Sequence, residues 1–189
     1  MGEIHRREPR SEGELFQVAL ARLQTIKQGI ETGPFSDREL FSAEMEERKL
    51  QLRLAARLHD TPGRRFSVSR EDEVDTRKEP DIHIHHAVGK VCIEVKPLDT
   101  SRYSGNELTE ALEDQLVGRY LGGLNSHHGI LVLFLLKERR SWQLPGNQKA
   151  NFQDLLAFLQ DKADNLRQTR PGVSGLQVFG VDCTGRHSA

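Results

Sequence analysis

The sequence predicts an α/β fold in which one mixed central sheet is flanked by helices, with two helices leading into it. Three observations predict this fold: helical periodicity at both ends of the chain, short alternating segments in its middle, and one continuous apolar run over 129–136. The predicted order of elements is α-α-β-β-β-α-β-α-β. Strands interleaved with helices in this way form a sheet with helices on both faces, because each element must bury its apolar side.

Length and composition favour a single domain. The chain has 189 residues, of which 36% are hydrophobic and 29% charged, and its formal net charge is −1. This composition is too apolar for a disordered chain, and the near-zero charge excludes a polycation that coats nucleic acid, though not a local basic groove. We expect a loose tail over 1–11, one domain over 12–186 with a helical lead (12–60) and a sheet core (61–186), and a tail over 187–189.

The sequence indicates neither a membrane segment nor an oxidising compartment. No apolar run reaches the ~20 residues that span a bilayer. The N-terminal segment MGEIHRREPR lacks the apolar stretch of a signal peptide. Cys92 and Cys183 are too few for a disulfide framework. We therefore expect a cytoplasmic protein with no membrane partner.

Two helices lead the chain. Apolar residues over 12–30 recur on one broad helical face, and the Thr-Gly-Pro stretch at 32–34 ends that helix. A second helix, capped by Ser36 or Asp37, is predicted to extend to His59. Its apolar stripe consists of Leu50, Leu54 and Leu58.

Three short strands are predicted next. Apolar and polar residues alternate over 65–69, 81–85 and 91–96, a pattern typical of half-buried strands. The polar stretch 71–80 is predicted to be a connection. Pro97 is predicted to stop the third strand, because proline cannot donate to a sheet ladder.

The remaining chain alternates helix and strand. We expect a helix over 107–121 that Gly122-Gly123 closes, followed by a central strand over 129–136. A helix over 152–167 and a last strand over 176–181 complete the predicted fold.

The polar faces of the second and third strands carry the candidate chemistry. If 91–96 is a strand, Glu94 and Lys96 lie side by side on the face opposite Val95. In a hairpin of the two strands, Asp81 lies beside Glu94. Two converging carboxylates form a hard-oxygen site suited to Mg²⁺ or Mn²⁺, and a nearby lysine can position a water. Together these groups suit metal-assisted hydrolysis of a phosphodiester.

The segments Pro80-Asp81 and Glu94-Val95-Lys96 resemble the signature of the PD-(D/E)xK nuclease superfamily, which has the restriction-endonuclease-like fold. The resemblance covers most of the chain after Glu44. It implies that Asp81 and Glu94 are metal ligands and that the backbone carbonyl of Val95 is a further ligand. It also implies that Lys96 orients the water and stabilises the transition state.

The resemblance further implies a glutamate from the preceding helix. With Leu50 as zero on a helical wheel, Leu54 and Leu58 fall at about 40° and about 80°, and Glu47 falls at about 60°. Glu47 therefore points into the apolar stripe, which is an unusual place for a carboxylate without a role. We expect Glu47 to complete the metal shell or bind a second ion, and Glu44 is the second choice.

Another family feature is a glutamine on the next helix with a tyrosine four residues later. Here Arg119 occupies that spacing from Gln115, and Tyr120 follows one residue later. On an α-helix Gln115 and Arg119 share a face, whereas Tyr120 lies about 140° away from Gln115. We expect Gln115 near the metal, with Arg119 and Tyr120 as candidate substrate contacts.

The histidines support a further hypothesis. His83 and His85 share the strand face of Asp81, so they are candidates for bordering the substrate groove. A zinc site is disfavoured, because no cysteine pair accompanies the histidines at zinc-finger spacing.

The sequence thus favours a Mg²⁺- or Mn²⁺-dependent nuclease, an endonuclease or an exonuclease, that acts on nucleic acid, with DNA preferred over RNA by resemblance. We consider it a candidate effector of a larger or regulated, defence-type system, with a homo-oligomer or a regulatory partner as further expectations. Two alternatives stay open. One is a catalytically inactive restriction-like module that binds nucleic acid or protein. The other is a metal-independent interaction protein in which Glu94 and Lys96 are surface charges.

Overall fold

The computed structural model describes residues 8–33, 37–41, 45–60, 65–70, 80–99, 102–123, 125–138 and 141–185. The α-helices in this part of the chain are α1 (Glu12–Glu31), α2 (Glu47–His59), α3 (Gly105–Glu110) and α4 (Phe152–Thr169). The strands are β1 (Ser67–Arg70), β2 (Ile82–His86), β3 (Gly89–Leu98), β4 (His128–Leu135), β5 (Trp142–Leu144), β6 (Gln148–Ala150) and β7 (Gly175–Asp182). A π-helix (Ala111–Tyr120) continues α3, and 3₁₀ turns cover Asp37–Leu40 and Pro145–Asn147.

Five strands form one mixed sheet in the order β1-β2-β3-β4-β7. The β1–β2 and β2–β3 pairs are antiparallel, and the β3–β4 and β4–β7 pairs are parallel. Strand β4 lies between β3 and β7 and is buried over its whole length, as predicted for the central apolar run. The predicted class, an α/β fold with a mixed sheet flanked by helices, is therefore confirmed.

Helices cover both faces of the sheet, and each face has its own hydrophobic core. On one face, α1 and α2 pack on a layer that includes Ile93, Val95 and Val132. On the other face, α3, the π-helix and α4 pack on a layer that includes Leu131 and Leu133. Within the described ranges, none of these helices combines the length and the apolar character needed to cross a membrane.

The second helix begins later than predicted. The expected helix from Ser36 or Asp37 to His59 is instead a 3₁₀ turn followed by α2, which starts at Glu47. Phe41 and Met45 lie between these elements and are both buried in the α1/α2 core. On one continuous helix, Met45 would lie about 140° and Phe41 about 180° from Leu50, so they would point away from the sheet. The chain leaves the helical path so that the Phe41 ring can stack on Phe134, with ring centroids 5.5 Å apart.

The prediction that Pro97 stops the third strand is wrong. Strand β3 continues through Pro97 to Leu98, in register with Phe134 and Leu135 of β4. The Val95 N–H points to the β2 side of β3, where it donates to the side chain of Asp81. Two residues later the missing N–H of Pro97 falls on that same side, beyond the last β2 pair. Proline is tolerated there because that side carries no ladder bond to lose.

The helix predicted over 107–121 is found as α3 followed by the π-helix. Its start carries a capping box, in which the Ser104 side chain accepts from the Glu107 N–H and the Glu107 side chain accepts from the Ser104 N–H. Buried residues of the π-helix and its end recur five apart. They are Ala111, Leu116 and Leu121 in one row and Leu112 and Val117 in the next. A π-helix repeats at i→i+5, so it aligns both rows on the sheet, which an α-helix would not.

One hairpin was not predicted. Strands β5 and β6 form a two-stranded antiparallel sheet, joined by a turn in which Gly146 has φ 79°. Trp142 on β5 is fully buried and its ring centroid lies 6.0 Å from that of Phe152, so it packs the hairpin against α4. Three-residue strands are too short to show a period. The remaining predicted elements are confirmed with small shifts at their ends, and the connection over 71–79 lies outside the described residues.

Candidate active site

The β2–β3 hairpin places Asp81 opposite Glu94. Ile82 pairs with Ile93 in antiparallel register, so the residue before Ile82 meets the residue after Ile93. Oδ2 of Asp81 accepts a hydrogen bond of 2.7 Å from the Val95 N–H. The side chain of Asp81 thus replaces a ladder partner just where β2 begins, and this bond fixes the carboxylate against β3.

Glu94 and Lys96 lie on the same face of β3 and are both buried. Their exposed fractions are 3% and 6%, and that of Asp81 is 7%. The ammonium Nζ of Lys96 lies 2.8 Å from Oε1 of Glu94 and 2.8 Å from Oε1 of Glu47. The interpretation of Glu94 and Lys96 as surface charges is therefore wrong, because charges buried to this extent are shielded from water.

Helix α2 supplies Glu47 from its first turn. The side chain is 30% exposed, and its Oε1 lies 2.8 Å from the Nζ of Lys96. The second carboxylate oxygen of Glu47 accepts a hydrogen bond of 2.5 Å from the hydroxyl of Tyr103. The helical wheel predicted the direction of Glu47, and the structure brings it to the cluster. Glu44, the second choice, lies outside the described residues.

Tyr103 is the member of the cluster that the sequence did not indicate. It lies between β3 and α3, and its backbone has φ 60°, which is uncommon for a residue other than glycine. Besides the bond to Glu47, its ring lies 5.6 Å from the Nζ of Lys96. A lone tyrosine in a connection has no periodicity, so no sequence signal could have identified it.

The electrostatics of the cluster are dominated by its carboxylates. Three carboxylates, those of Asp81, Glu94 and Glu47, surround the single ammonium of Lys96. Burial, and then the charge of Glu94, raise the pKa of Asp81 to about 7, although Lys96 and the Val95 N–H oppose this. Burial alone would lower the pKa of Lys96, but Glu94 and Glu47 outweigh it and hold that pKa above its usual value. Lys96 is therefore a fixed cation, and the site still carries an excess of negative charge.

The donor chemistry of this cluster fits a hard divalent cation. Asp81 and Glu94 offer oxygen ligands, and burial together with the charge of Glu94 raises the pKa of Asp81, an effect that a bound cation would offset. The N–H and carbonyl of an extended residue point to the same side, so the Val95 carbonyl faces the edge where Asp81 lies. Among the described residues, however, no group of three or more His, Cys, Asp and Glu side chains is arranged to hold a metal ion.

The predicted histidines extend from Asp81 along β2. His83 and His85 pair with Cys92 and Lys90, and their rings lie 5.0 Å apart. Burial, then the charges of His85 and Lys90, lower the pKa of His83 to about 4. His83 is therefore neutral near pH 7. Both residues are half-buried, so part of each side chain is accessible to solvent.

Gln115, Arg119 and Tyr120 lie on the π-helix, which covers the same face of the sheet as Glu94 and Lys96. Gln115 and Tyr120 are half-buried and Arg119 is exposed. The contacts of the cluster given above do not include these three residues. The separation of about 140° expected between Gln115 and Tyr120 on an α-helix is wrong. This segment is a π-helix, in which residues five apart lie on successive turns and are neighbours.

Comparison of the chain with models of protein families, with curated proteins and with solved structures found no match. The geometry and chemistry of this cluster are therefore the guide to its function.

Proposed function

We propose that this chain is a divalent-metal-dependent nuclease with a restriction-endonuclease-like fold. One observation carries the proposal: the buried carboxylates of Asp81 and Glu94 lie on adjacent strands beside the buried ammonium of Lys96, where β2 begins and β3 continues paired only with β4. Proteins rarely bury more negative than positive charges in one cluster unless a ligand or a reaction uses them. The order of elements, with a helical carboxylate from Glu47, supports the same proposal.

Each residue has a distinct role in this proposal. Asp81 and Glu94, with the Val95 carbonyl, would hold Mg²⁺ or Mn²⁺, and Glu47 would complete the site from α2. When bound, the metal would neutralise phosphate oxygens and make a water more nucleophilic. Lys96 would orient that water and stabilise negative charge in the transition state. Its ammonium suits this role because two carboxylates hold it in place and keep it protonated.

The substrate would approach along β2. His83 and His85 continue the Asp81 face, so they are proposed to border the groove together with Gln115, Arg119 and Tyr120 of the π-helix. The neutral imidazole of His83 and the exposed guanidinium of Arg119 can hydrogen-bond to phosphate. DNA is preferred over RNA by family resemblance. A homo-oligomer or a regulatory partner, in a larger effector system, belongs to the same proposal.

The test is cleavage of supercoiled plasmid, linear duplex, single-stranded DNA and RNA in Mg²⁺, Mn²⁺ or EDTA. Wild type is expected to cut at least one substrate with metal and none in EDTA. Asp81→Asn and Lys96→Met are expected to remove cleavage. Glu110→Gln, which alters an exposed carboxylate on α3, serves as the matched control and should cut normally. The proposal fails if wild type cuts nothing and calorimetry detects no uptake of either metal.

One observation favours a second candidate, an inactive restriction-like module that binds nucleic acid. The Lys96 ammonium lies within 2.8 Å of carboxylates on both sides, so it already neutralises part of the charge that a metal would neutralise. In that case, duplex DNA would bind equally well with Mg²⁺ and with EDTA and would stay intact. Fluorescence anisotropy of labelled DNA, run beside the cleavage assay, separates the two candidates.

A further inference from the structure

The connection between β3 and α3 holds Tyr103 against the cluster. The Tyr103 hydroxyl donates to Oε2 of Glu47, while Lys96 binds Oε1 of the same carboxylate. Both oxygens of Glu47 are thus engaged by side chains that reach it from β3 and from the segment that follows β3. We propose that Tyr103 is a positioning residue: its hydroxyl fixes Glu47, and Glu47 in turn fixes the ammonium of Lys96 beside Glu94.

The segment around Tyr103 is built to hold this contact. Arg102 donates from Nη1 to the carbonyl of Met45 at 3.2 Å, and its Nε lies 3.0 Å from Oδ2 of Asp99. These contacts connect the end of β3 to the chain just before α2. Tyr103 itself takes φ 60°, a conformation that costs free energy and that persists where surrounding contacts determine it. The backbone is therefore strained at the residue whose hydroxyl meets Glu47.

The Tyr103 hydroxyl can only act as a donor toward Glu47. The hydroxyl oxygen lies 2.5 Å from Oε2 of Glu47, and an ionised carboxylate oxygen can only accept. A short bond from a neutral donor to a carboxylate is among the stronger hydrogen bonds in proteins. Glu47 therefore has one defined position, which a half-exposed side chain on a helix surface would otherwise lack.

The position of Glu47 decides what Lys96 does to Glu94. With Glu47 in place, the ammonium is shared equally, at 2.8 Å from each carboxylate. Without Glu47, Lys96 would pair with Glu94 alone and neutralise one of the two carboxylates proposed to hold the metal. Tyr103 thus keeps Lys96 available for the phosphate and Glu94 available for the cation. The catalytic part of this inference rests on the proposed function, whereas the position of Lys96 does not.

The experiment uses the full chain and the variant Tyr103→Phe, which keeps the ring and removes only the hydroxyl. Thr109→Val is the matched control, since it removes a hydroxyl that bonds to the Gly105 carbonyl within α3. The first readout is acetylation of Lys96 by acetic anhydride, followed by mass spectrometry, which needs no catalysis. The second is steady-state cleavage, with kcat and KM determined separately, also for Glu47→Gln and for the double variant.

Tyr103→Phe is expected to acetylate severalfold faster at Lys96 than wild type and Thr109→Val. Its kcat is expected to fall about tenfold or more, with KM nearly unchanged, as for loss of one hydrogen bond to a charged group. The double variant with Glu47→Gln should lose no more than Glu47→Gln alone, because both act through one contact. A kcat and a Lys96 acetylation rate equal to wild type in Tyr103→Phe would overturn the inference. If wild type cleaves nothing, faster acetylation still supports the positioning of Lys96, while the nuclease proposal falls.

Discussion

Two clusters of polar side chains lie at opposite ends of the β3–β4 pair, and they are built in opposite ways. At the end where His128 pairs with Val91, Glu12 of α1 accepts hydrogen bonds from the side chains of His127 and His128 and from the backbone N–H of His127. At the other end, Asp81, Glu94 and Glu47 share one ammonium, that of Lys96. Both carboxylate oxygens of Glu12 accept hydrogen bonds. In the Asp81 cluster, three carboxylates share one ammonium.

The pKa of each acid records this difference. Burial alone would raise the pKa of Glu12, but the hydrogen bonds from His127 and His128 outweigh it and hold that pKa below its usual range. For Asp81, burial and Glu94 outweigh Lys96 and the Val95 N–H, and the pKa rises to about 7. A carboxylate whose donors suffice stabilises the fold. A buried carboxylate whose pKa is raised in this way destabilises the fold when it is ionised, and strongly shifted acids are typical of functional sites.

The largest expected contrast is in activity. Asp81→Asn should lower cleavage by about 10³-fold or more, because a metal contributes several kcal/mol of transition-state stabilisation. Glu12→Gln, at a temperature where it is folded, should cut within about twofold of wild type, since surfaces far from the reacting atoms contribute little to the barrier. Initial rates on the best plasmid or oligonucleotide substrate measure both. Equal losses in the two variants would mean that the clusters do not differ in role.

A divalent metal should stabilise the folded protein only when the Asp81 cluster is intact. At a metal concentration of 100 times Kd, wild type should gain about 2.7 kcal/mol in free energy of unfolding. The Glu12→Gln variant should gain the same amount and Asp81→Asn should gain little. Urea unfolding in Mg²⁺, Mn²⁺ or EDTA provides the measurement. A gain that survives in Asp81→Asn would place the ion elsewhere.

Replacing the acid by its amide should change the free energy of unfolding in opposite directions at the two clusters. Glu12→Gln removes a charged acceptor from two imidazoles and one backbone N–H, so we expect a loss of about 2 kcal/mol without metal. Asp81→Asn in EDTA should be neutral or stabilising at pH 8, because it removes a negative charge that burial and the neighbouring Glu94 disfavour. Urea unfolding of both variants beside wild type checks the pair. A strongly destabilised Asp81→Asn would show that its bond to the Val95 N–H outweighs the charge.

The smallest expected contrast is in the pH dependence of stability. The folded-state pKa of Asp81, about 7, lies above its ordinary value, so its contribution to stability is present in acid and is lost as pH rises toward and through 7. Glu12 has a lowered pKa, so its contribution is present at neutral pH and is lost as pH falls below the ordinary range of a glutamate. Unfolding in EDTA at pH 5 and pH 8 should show Asp81→Asn gaining on wild type at the higher pH. A difference that is independent of pH would exclude titration of Asp81 as the cause.

Sequence patterns were most informative about those residues of the Asp81 cluster whose orientation is set by a single strand or helix. Alternation along β3 places Glu94 and Lys96 on one face, and a helical wheel orients Glu47, since both depend only on the repeat of a regular element. The contact of Asp81 with β3 required one additional assumption, that β2 and β3 form a hairpin. The Glu12 cluster was not predicted, because Glu12 and His127 are far apart in sequence and meet only when α1 packs across the sheet.

The sequence by itself determined the α/β class, most element ends and the facing of the Asp81, Glu94 and Lys96 side chains. These follow from backbone geometry that repeats along the chain. Only the tertiary structure decided that Pro97 stays within β3, that the 111–120 helix is a π-helix, and that Tyr103 meets Glu47. Pro97 stays within β3 because β2 has already ended on that side. The π-helix forms because its rows of apolar side chains pack on β3 and β4. Tyr103 keeps its strained backbone because contacts with other segments hold it. Intrinsic backbone propensity depends only on the local sequence and so cannot predict such partners. The free energy of tertiary packing overrides that propensity where the two conflict.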